Sequence, residues 1–385
     1  MEDKRKRILD LVKKGTLSTD EALTLLEALD KETKKGNTGQ SETYAQNGPE
    51  AGSGKKERDQ TQNFNEAKEK LFDLVGGALK KVKDFDFQIS QSVEVPHVFQ
   101  QHKEAVDDVE IDIANGHVAV RQWDQEDIRV ECRAKVFRTN DRDEARSFLL
   151  NNSSFSVEDG RLSFTTQSKW MKVDADIYLP PAQYRKINLR TFSGNVNSKE
   201  IKAEKMNIKT LHGKVLIEQG EMEKVDVETG NGSIEFDANV FGQVDAQTMN
   251  GDIRSNGTFH KADLESFNGN IQVGLTAEAD TLHTKTVSGN IDITVPEHMT
   301  VQGEGKTNFG SFALELDGVD QYDERKELIQ KLVRFSRKGE AAGNLYIFAD
   351  AKTGSIFIKE KTSEAQHPDI RNTEESTEQT ENEEK

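Results

Sequence analysis

Histidine and cysteine, the side chains that most often bind metals or act as nucleophiles, are thinly spread in this sequence. None of the eight histidines belongs to an H-E-x-x-H or H-x-H sequence, or to a histidine–cysteine spacing typical of zinc. There is also no G-x-S-x-G nucleophile motif and no phosphate-binding P-loop. The only cysteine, Cys132, lies in the alternating segment IRVECRAKV, so we expect an inert thiol on a β-strand.

Carboxylates are abundant, but no pair of them stands out as catalytic. A β-helical enzyme acting on polysaccharides would need two carboxylates that converge on a groove, and the sequence does not single out such a pair. Trp123 and Trp170 could line a sugar site, although an isolated tryptophan more often packs within its own domain. We therefore predict that the protein is not an enzyme and has no catalytic residue, no cofactor and no resident metal ion.

A short motif with a central glycine recurs through the middle of the chain. It reads TFSGNV, TLHGKV, TGNGSI, TMNGDI, SFNGNI and TVSGNI, with a small hydroxyl residue first and Val or Ile last. The motif glycines are separated by 19, 19, 19, 18 and 20 residues. Related glycines occur before and after this run. We predict structural turns at all of these glycines, which are Gly116, Gly194, Gly213, Gly232, Gly251, Gly269, Gly289, Gly310 and Gly354.

The nearly constant repeat of about 19 residues is typical of a solenoid, in which successive coils stack. Each unit has apolar strands on both sides of the glycine, as in VDVET and SIEF. A meander of antiparallel hairpins with Asn-Gly turns is the alternative, but it does not require a constant repeat length. Coils stacked about 4.8 Å apart do require it, because each residue must lie over its counterpart. We predict a mainly β fold with a right-handed β-solenoid-like body over residues 86–362.

The residue after each motif glycine would form a continuous row if the coils stack. This row consists of Asn195, Lys214, Ser233, Asp252, Asn270 and Asn290. A lysine in the row argues against a ladder of calcium ligands, and the nonapeptide repeat of calcium-binding β-rolls is absent. The motif therefore predicts a corner of the architecture, at which polar side chains such as Asp252 face water.

Two short helices are predicted at the N-terminus, over residues 1–32. Gly15 ends the first helix, and Ser18 with Glu21 forms an S-x-x-E capping box for the second. A hairpin of this size rarely folds alone, so its leucine-rich face should pack against the rest of the chain, another copy or a partner. The candidate partner-binding residues of this hairpin are Leu11, Val12, Leu17, Leu23, Leu26 and Leu29.

The remaining segments differ from the repeats in composition. Residues 33–63 are polar and rich in Gly, Ser, Asn and Gln, which is typical of a flexible linker. Residues 64–85 predict an amphipathic helix with a basic face, which could cap the open end of the β-structure or lie on an anionic membrane; we favour the cap. A second helix is predicted near residues 321–338, inserted between coils. Residues 363–385 predict a disordered acidic tail.

Charge and targeting signals limit the partners that the chain could have. The formal net charge of −17 disfavours nucleic acid and favours cationic peptides. The N-terminus lacks the apolar region of a secretion signal, and no apolar run is long enough to cross a membrane. By default we expect a cytoplasmic protein, whose membrane contact would be peripheral and made through residues 64–83. Protein partners or self-association are expected through the N-terminal hairpin.

The order of these features resembles one known family. The sequence G-x-L-S-x-D-E-A-x-x-L-L-x-A-L from Gly15 to Leu29 is followed by a polar linker, an amphipathic helix and [ST]-x-[SN]-G-[ND]-[IV] repeats. Together they resemble the YvlB/LiaX-type proteins of Gram-positive bacteria, which combine a short oligomerisation-type helical hairpin with a β-strand-repeat domain of candidate adhesins. The resemblance implies a role in the response to cell-envelope stress and antimicrobial peptides. It implies no catalytic residues.

Overall fold

The computed structural model describes residues 91–102, 104–326, 330–340 and 343–361. The predicted N-terminal hairpin with its six partner-binding residues, the linker, the helix over 64–85 and the acidic tail lie outside these ranges. The described residues contain one helix, α1 (Arg142–Asn151), between the fourth and fifth strands. Among them, no helix is long and apolar enough to cross a membrane.

Twenty-three strands make up most of the described chain. In chain order they are β1 (Ser92–Gln101), β2 (Asp108–Asn115), β3 (Val118–Gln122), β4 (Ile128–Phe137), β5 (Ser153–Glu158), β6 (Arg161–Thr166), β7 (Met171–Leu179), β8 (Gln183–Ser193), β9 (Val196–Lys199), β10 (Lys202–His212), β11 (Val215–Glu218), β12 (Glu221–Asn231), β13 (Ile234–Asn250), β14 (Ile253–Asn268), β15 (Ile271–Gly274), β16 (Thr281–Ser288), β17 (Ile291–Val295), β18 (Thr300–Thr307), β19 (Phe312–Glu315), β20 (Val319–Lys326), β21 (Lys331–Arg337), β22 (Asn344–Ala351) and β23 (Ile356–Glu360).

The strands form two stacks, called here the first and second sheets, that are joined through the long strands β13 and β14. The first sheet contains, in spatial order, β5, β6, β2, β8, β10, β12, the second halves of β13 and β14, β16, β22, β18, β21 and β20. The second sheet contains β1, β4, β7, β3, β9, β11, the first halves of β13 and β14, β15, β17, β23 and β19. One strand of each sheet, joined by a glycine corner, makes one coil.

Neighbouring coils pair in parallel and in register, which confirms the solenoid and excludes the hairpin meander. Thr210 of β10 lies beside Thr191 of β8 on one side and Thr229 of β12 on the other. Each of these steps is one repeat of the sequence. Alternate side chains of both sheets, including Val225, Ile234 and Ile253, are buried in one continuous apolar core. The Val or Ile that ends each motif therefore stacks on its equivalents, as the sequence predicts.

The helix predicted near residues 321–338 is wrong. This segment contains β20 and β21, an antiparallel pair whose second strand also pairs with β18. Val333, Phe335 and Arg337 are buried while Arg334 is exposed, so the period in KLVRFSR is two. The charged stretch before it also fits the spacing of a helix, so the sequence alone does not distinguish helix from strand. Pairing with the edge of an existing sheet selects the strand.

The order of the coils in space departs from their order in the chain at both ends. The last coil, β22 with β23, lies between the coil of β16 and β17 and that of β18 and β19. At the other end, β2 with β3 lies between the coil of β6 and β7 and that of β8 and β9. Both ends are thus formed by strands that return to pair with an existing coil.

Antiparallel strands and the helix complete the N-terminal end of the stack. β4 pairs with β7 and with β1. β5 and β6 form a hairpin, and its turn residues Asp159 and Gly160 have positive φ angles of 51° and 72°, which suit a two-residue turn. The Asp141 carboxylate caps α1 by accepting from the backbone N–H groups of Asp143 and Glu144.

Candidate functional site

The motif glycines lie in one column at the corner between the two sheets. A Cβ atom added to Gly251 would lie 2.0 Å from the carbonyl oxygen of Gly232, and the same close approach repeats from Gly194 to Gly289 and on through Gly354 to Gly310. Gly116 meets the carbonyl of Val173 in the same way. The column therefore requires glycine because neighbouring backbones nearly touch at this corner.

Hydroxyl groups next to the corner satisfy the glycine carbonyls. Each donates to the glycine of the adjacent coil, at 3.0 Å for Thr248 to Gly232 and 2.9 Å for Ser266 to Gly251. The same bond is made by Thr191, Thr210, Thr229, Thr286 and Thr307. This explains why every motif begins with Thr or Ser.

The polar row after the glycines does not simply face water, contrary to expectation. Each suitable side chain accepts a hydrogen bond from the backbone N–H of its counterpart one coil further along. The acceptors are Asp174, His117, Asn195, Asp252, Asn270, Asn290 and Ser355, at 2.8 to 3.1 Å. Lys214 interrupts the row because an ammonium group cannot accept. It forms an ion pair with Glu235 instead.

The outer face of the first sheet carries a group of carboxylates that single-motif inspection missed. Asp226, Asp245 and Asp263 occupy equivalent positions on β12, β13 and β14. Glu228 and Glu265 lie two residues further along their strands and therefore on the same face. We call these five residues the carboxylate patch. Because neighbouring strands are about 4.8 Å apart, its negative charges are close together.

Two members of the carboxylate patch form no ion pair within the described ranges. Glu265 pairs with Lys285 at 3.0 Å and Glu228 with Lys209 at 2.8 Å, and Asp226 lies near two lysines. Within the described ranges, Asp245 and Asp263 form no ion pair; Asp245 accepts only from the side chain of Gln247 at 3.1 Å.

Three carboxyl groups of the patch, those of Asp245, Asp263 and Glu265, hold their protons more tightly than ordinary carboxyl groups. Burial, together with the neighbouring Asp245 carboxylate, raises the pKa of Asp263 to about 6. Burial is also the main cause that raises the pKa of Asp245 and of Glu265. Removal of solvent disfavours the charged form, and adjacent like charges add to this effect.

An apolar row runs beside the carboxylate patch on the same outer face. It lies two residues beyond the Glu228 and Glu265 positions, next to the corner. The row consists of Phe192, Leu211, Met249, Phe267 and Val287. Leu211 is buried because its side chain packs against the backbone of Gly230. The other four side chains are half-buried. Acidic and apolar side chains thus lie in parallel lines along successive coils.

Two concave regions are large enough to be considered as catalytic sites. A cavity of about 890 Å³ on the second sheet has Asp292 as the one carboxylate of its lining. A cavity of about 610 Å³ near the C-terminal end holds Glu304 and Asp323, and both pair with cations, Glu304 with Arg334 and Asp323 with Arg325. Neither lining presents two unpaired carboxylates facing each other across a groove, as glycoside hydrolysis requires.

The other candidate residues have structural surroundings. Cys132 is buried, and burial raises the pKa of its thiol to about 12, so the nucleophilic thiolate is disfavoured. The Trp123 indole N–H donates to the carbonyl of Asp127, and the Arg138 guanidinium lies 3.3 Å from the ring centre of Trp170. Among the described residues, no three His, Cys, Asp or Glu side chains are grouped so that they could hold a metal ion.

The stack of parallel coils coincides with a known domain family. The sequence profile of Toastrack DUF4097 matches residues 106–342, which is more than half of the chain. The chain belongs to this family. A second profile, that of the SHOCT-like domain, matches residues 3–34. The family match begins just before β2 and ends after β21, so the intercalated coil of β22 and β23 lies beyond it.

One relative resembles the chain over nearly its whole length. YvlB of Bacillus subtilis (strain 168), described as uncharacterized, is 38% identical over 380 residues, covering 93% of this chain and 99% of YvlB. The resemblance to YvlB-type proteins that the sequence suggests is therefore confirmed. The names of the two matching profiles and of YvlB mention no catalytic activity.

Three solved structures that match this chain share little sequence with it. A candidate adhesin from Parabacteroides distasonis ATCC 8503 is 11% identical with a TM-score of 0.39, covering 69% of this chain and 97% of its own. A candidate lipid binding protein from the same organism is 13% identical with a TM-score of 0.35 and the same coverage. A candidate adhesin from Parabacteroides merdae ATCC 43184 is 10% identical with a TM-score of 0.36, covering 69% and 96%.

The carboxylate patch leaves a detectable signal once the repeats are aligned. Three residues before the hydroxyl of each motif, the sequence reads Asn, Asn, Asp, Asp, Asp and His along successive coils. The three aspartates are the members Asp226, Asp245 and Asp263. The motif glycine attracts attention because it is invariant, whereas this column changes along the stack and thereby distinguishes one part of the surface from another.

Proposed function

We propose that the protein is a non-catalytic binding protein that holds cationic, amphipathic peptides or protein segments on the outer face of its first sheet. The observation that carries this proposal is the carboxylate patch with the apolar row beside it. Through this binding, the protein would act in the response of the cell envelope to peptide stress. The family resemblance to YvlB-type proteins supports the biological setting, and the surface supports the chemistry.

The charges of the patch suit a basic ligand. Asp245 and Asp263 lack ion-pair partners among the described residues, and their half-buried positions strengthen any pairing that they make. A lysine or arginine of the ligand could replace solvent at these two carboxylates. Pairs of this kind favour specificity and rapid association more than tight binding.

The apolar row could contact the apolar side of an amphipathic ligand. Met249 lies beyond Asp245 on β13 and Phe267 beyond Asp263 on β14, an even number of positions along each strand and therefore on the same face. From Phe192 to Val287 the row crosses six coils, a length of about 24 Å. A helix of about 16 residues has the same length, so one amphipathic helix could contact the whole row.

A peptide-binding measurement tests this proposal. The probe is a fluorescein-labelled peptide with leucine and lysine at helical spacing, and a second peptide carries glutamate in place of lysine. Full-length protein should bind the lysine peptide with an affinity that falls as salt is raised, and should not bind the glutamate peptide. Lack of binding to the lysine peptide at low ionic strength would disprove the proposal.

Matched variants distinguish the patch from the overall negative charge. The triple substitution Asp245→Asn, Asp263→Asn and Glu265→Gln removes three carboxylates from the patch and should weaken binding about tenfold or more. The control substitution Glu297→Gln, Glu315→Gln and Asp317→Asn removes three exposed carboxylates elsewhere and should have little effect. Equal losses in both variants would mean that net charge alone attracts the peptide.

The N-terminal module is a second candidate interaction site, separate from the first sheet. The match of the SHOCT-like domain to residues 3–34 supports a role of this segment, predicted from the sequence to be a helical hairpin, in self-association or partner binding. Light scattering after size exclusion should show a smaller assembly for the variant Leu23→Glu, Leu26→Glu than for the unchanged chain. Equal monomeric masses at high concentration would exclude self-association and leave a separate partner.

With this stress role, the protein would work at the cytoplasmic side of the membrane. We expect cell fractionation to find it in the cytoplasm of unstressed cells and partly with membranes after treatment with a cationic peptide. Residues 64–83 supply the basic segment for such contact. Cells lacking the protein should respond differently to the peptide. The unchanged chain should restore the normal response and the patch variant should not.

A further inference from the structure

The cavity of about 610 Å³ near the C-terminal end of the first sheet has a lining unlike the rest of the surface. Two tyrosines share it with hydrogen-bonding side chains of several kinds. The lining includes Gln302, Glu304, Asp323, Arg334 and Ser336, with Tyr346 beside them and Tyr322 on the edge strand. We propose that this cavity binds a neutral oligosaccharide, independently of the peptide-binding face.

The strand register brings these residues together from four neighbouring strands. Gln302 of β18 lies between Tyr346 of β22 and Ser336 of β21. Further along the same strands, Glu304 lies beside Arg334, and Asp323 of β20 lies on the other side of Arg334. The site therefore rests on a continuous sheet rather than on loops, so that its side chains are held in fixed positions.

Arg334 is oriented by an ion pair that leaves most of its donors unused. Its Nε atom donates to Glu304 Oε2 at 2.8 Å, while Glu304 Oε1 pairs with the Lys306 ammonium at 3.0 Å. These two cations hold the pKa of Glu304 below its usual range despite partial burial. Within the described part of the chain, the Nη1 and Nη2 groups of Arg334 make no hydrogen bond. They are available for a ligand.

Tyr346 offers an exposed ring surface on the same face of the sheet as Gln302 and Glu304. Tyr322 pairs with the buried Phe335 and therefore lies on the other face of the edge strand β20. Tyr346 is 43% exposed and Tyr322 is 50% exposed, which are high values for large aromatic side chains. His283 packs edge-on against Tyr346 with ring centres 6.3 Å apart, and Tyr322 donates its hydroxyl hydrogen to Glu324 at 3.0 Å. Both rings are thus held in place while remaining accessible.

A sugar fits this lining better than a charged ligand does. Arg334 favours an anion, but Glu304 and Asp323 lie beside it and would repel one. A cationic ligand would be repelled by the Arg334 guanidinium. Sugar hydroxyls both donate and accept, so they can bond to Arg334, to carboxylate oxygens, to the Gln302 amide and to the Ser336 hydroxyl. The apolar C–H face of a pyranose ring can stack on a tyrosine, which has an apolar body and a polar end.

The volume and position of the cavity agree with a small ligand separate from the peptide. Its volume lies within the range of about 300–1,000 Å³ that is typical of small-molecule sites. Glu304 is three strands away from Asp263, or about 14 Å. A peptide on the carboxylate patch and a saccharide in this cavity could therefore be bound at the same time.

Titration of full-length protein with maltotriose, cellotriose and chitotriose, followed by calorimetry, tests the inference. At least one trisaccharide should bind saturably at millimolar concentration. Tyr346→Ala should weaken that binding about tenfold or more through loss of stacking area. Arg334→Lys keeps the charge but loses the planar fork of donors, and should weaken binding by a similar factor.

Two control variants distinguish a sugar site from unspecific stacking on exposed aromatic rings. Phe309→Ala removes an aromatic side chain that is 74% exposed and does not line the cavity, so it should leave saccharide binding unchanged. The carboxylate-patch variant should also bind the saccharide normally. Absence of binding by all three sugars, undiminished binding in both cavity variants, or displacement of the sugar by the lysine peptide would overturn the inference.

Discussion

The Asp252 carboxylate accepts a hydrogen bond from the backbone N–H of Asn270 at 2.9 Å, one coil further along the stack. In the same way, the Asn270 side chain accepts from the backbone N–H of Asn290, and the Asn290 side chain accepts from the backbone N–H of Ser355. Side chains at the corner thus complete the backbone hydrogen bonding that a sharp turn interrupts. The row stops at Lys214 and Ser233, where no acceptor side chain reaches the next coil among the described hydrogen bonds.

The interruption at Lys214 can be repaired. Asn195 accepts a hydrogen bond from the backbone N–H of Lys214. In Lys214→Asn, the new side chain could accept in the same way from the backbone N–H of Ser233. We expect an increase in the free energy of unfolding of about 0.5–1 kcal/mol, measured by urea denaturation, in line with one added hydrogen bond. Lys214→Ala loses the same ion pair with Glu235 without gaining an acceptor, so it should be no more stable than the unchanged chain. Equal stability of the two variants would show that a corner acceptor does not stabilise the stack.

The glycine column should be intolerant of even one methyl group. In Gly251→Ala the new Cβ would lie 2.0 Å from a rigid backbone oxygen of the next coil, so we expect a loss of about 3 kcal/mol or more in thermal or urea unfolding. Gly274→Ala is the control, because its nearest contact would be a side-chain oxygen at 3.3 Å. Similar small losses in both variants would show that close backbone approach is not the reason for the glycine.

The architecture could be predicted because it depends on features that repeat. Constant spacing, Val or Ile in one column and glycine in another require in-register stacking, and the parallel pairing agrees. The ends could not be predicted in the same way. Nothing in the sequence of β22 indicates that it pairs between β16 and β18. The KLVRFSR strand cannot be distinguished from a helix by its spacing, because a short charged segment fits both periods.

The candidate site was harder to predict than the fold, since it is made by side chains that vary between repeats. Asp245 and Asp263 do not stand out in a sequence with 69 acidic residues. They become a site because the register places them on adjacent strands, which local sequence does not show. The raised pKa of Asp263 likewise depends on burial and on its neighbour Asp245, two properties of the folded surface.

The buried Arg337 side chain should be essential for the C-terminal end. It is 4% exposed, pairs with Glu360 at 2.6 Å and donates to the carbonyls of Met299 and Pro296. Arg337→Met would leave Glu360 and both carbonyls without this partner, at a cost of about 3 kcal/mol in urea unfolding. The double variant Arg337→Met, Glu360→Gln should recover part of that loss. A double variant as unstable as the sum of the two single variants would exclude coupling between the residues.

Stability should fall as the pH rises through the titration of Asp263. The folded protein keeps this proton up to about pH 6, whereas an unfolded chain loses it near pH 4. Between these values the folded state binds more protons, so the free energy of unfolding decreases by up to about 3 kcal/mol. Asp263→Asn should flatten this part of the urea midpoint profile and raise stability at neutral pH. Asp317→Asn, at an exposed position, should leave the profile unchanged; an equal response would contradict the assignment.

Peptide binding should have the opposite pH dependence from stability. A cationic ligand needs the patch ionised, and protonation of Asp263 below about pH 6 removes one of the two carboxylates that lack an ion-pair partner among the described residues. The lysine peptide should therefore bind severalfold more weakly at about pH 5 than at about pH 7, where the peptide itself keeps its charge. Asp263→Asn should bind weakly at both values and show a smaller change between them. A full pH dependence in that variant would assign the titration to another group and remove Asp263 from the proposed binding face.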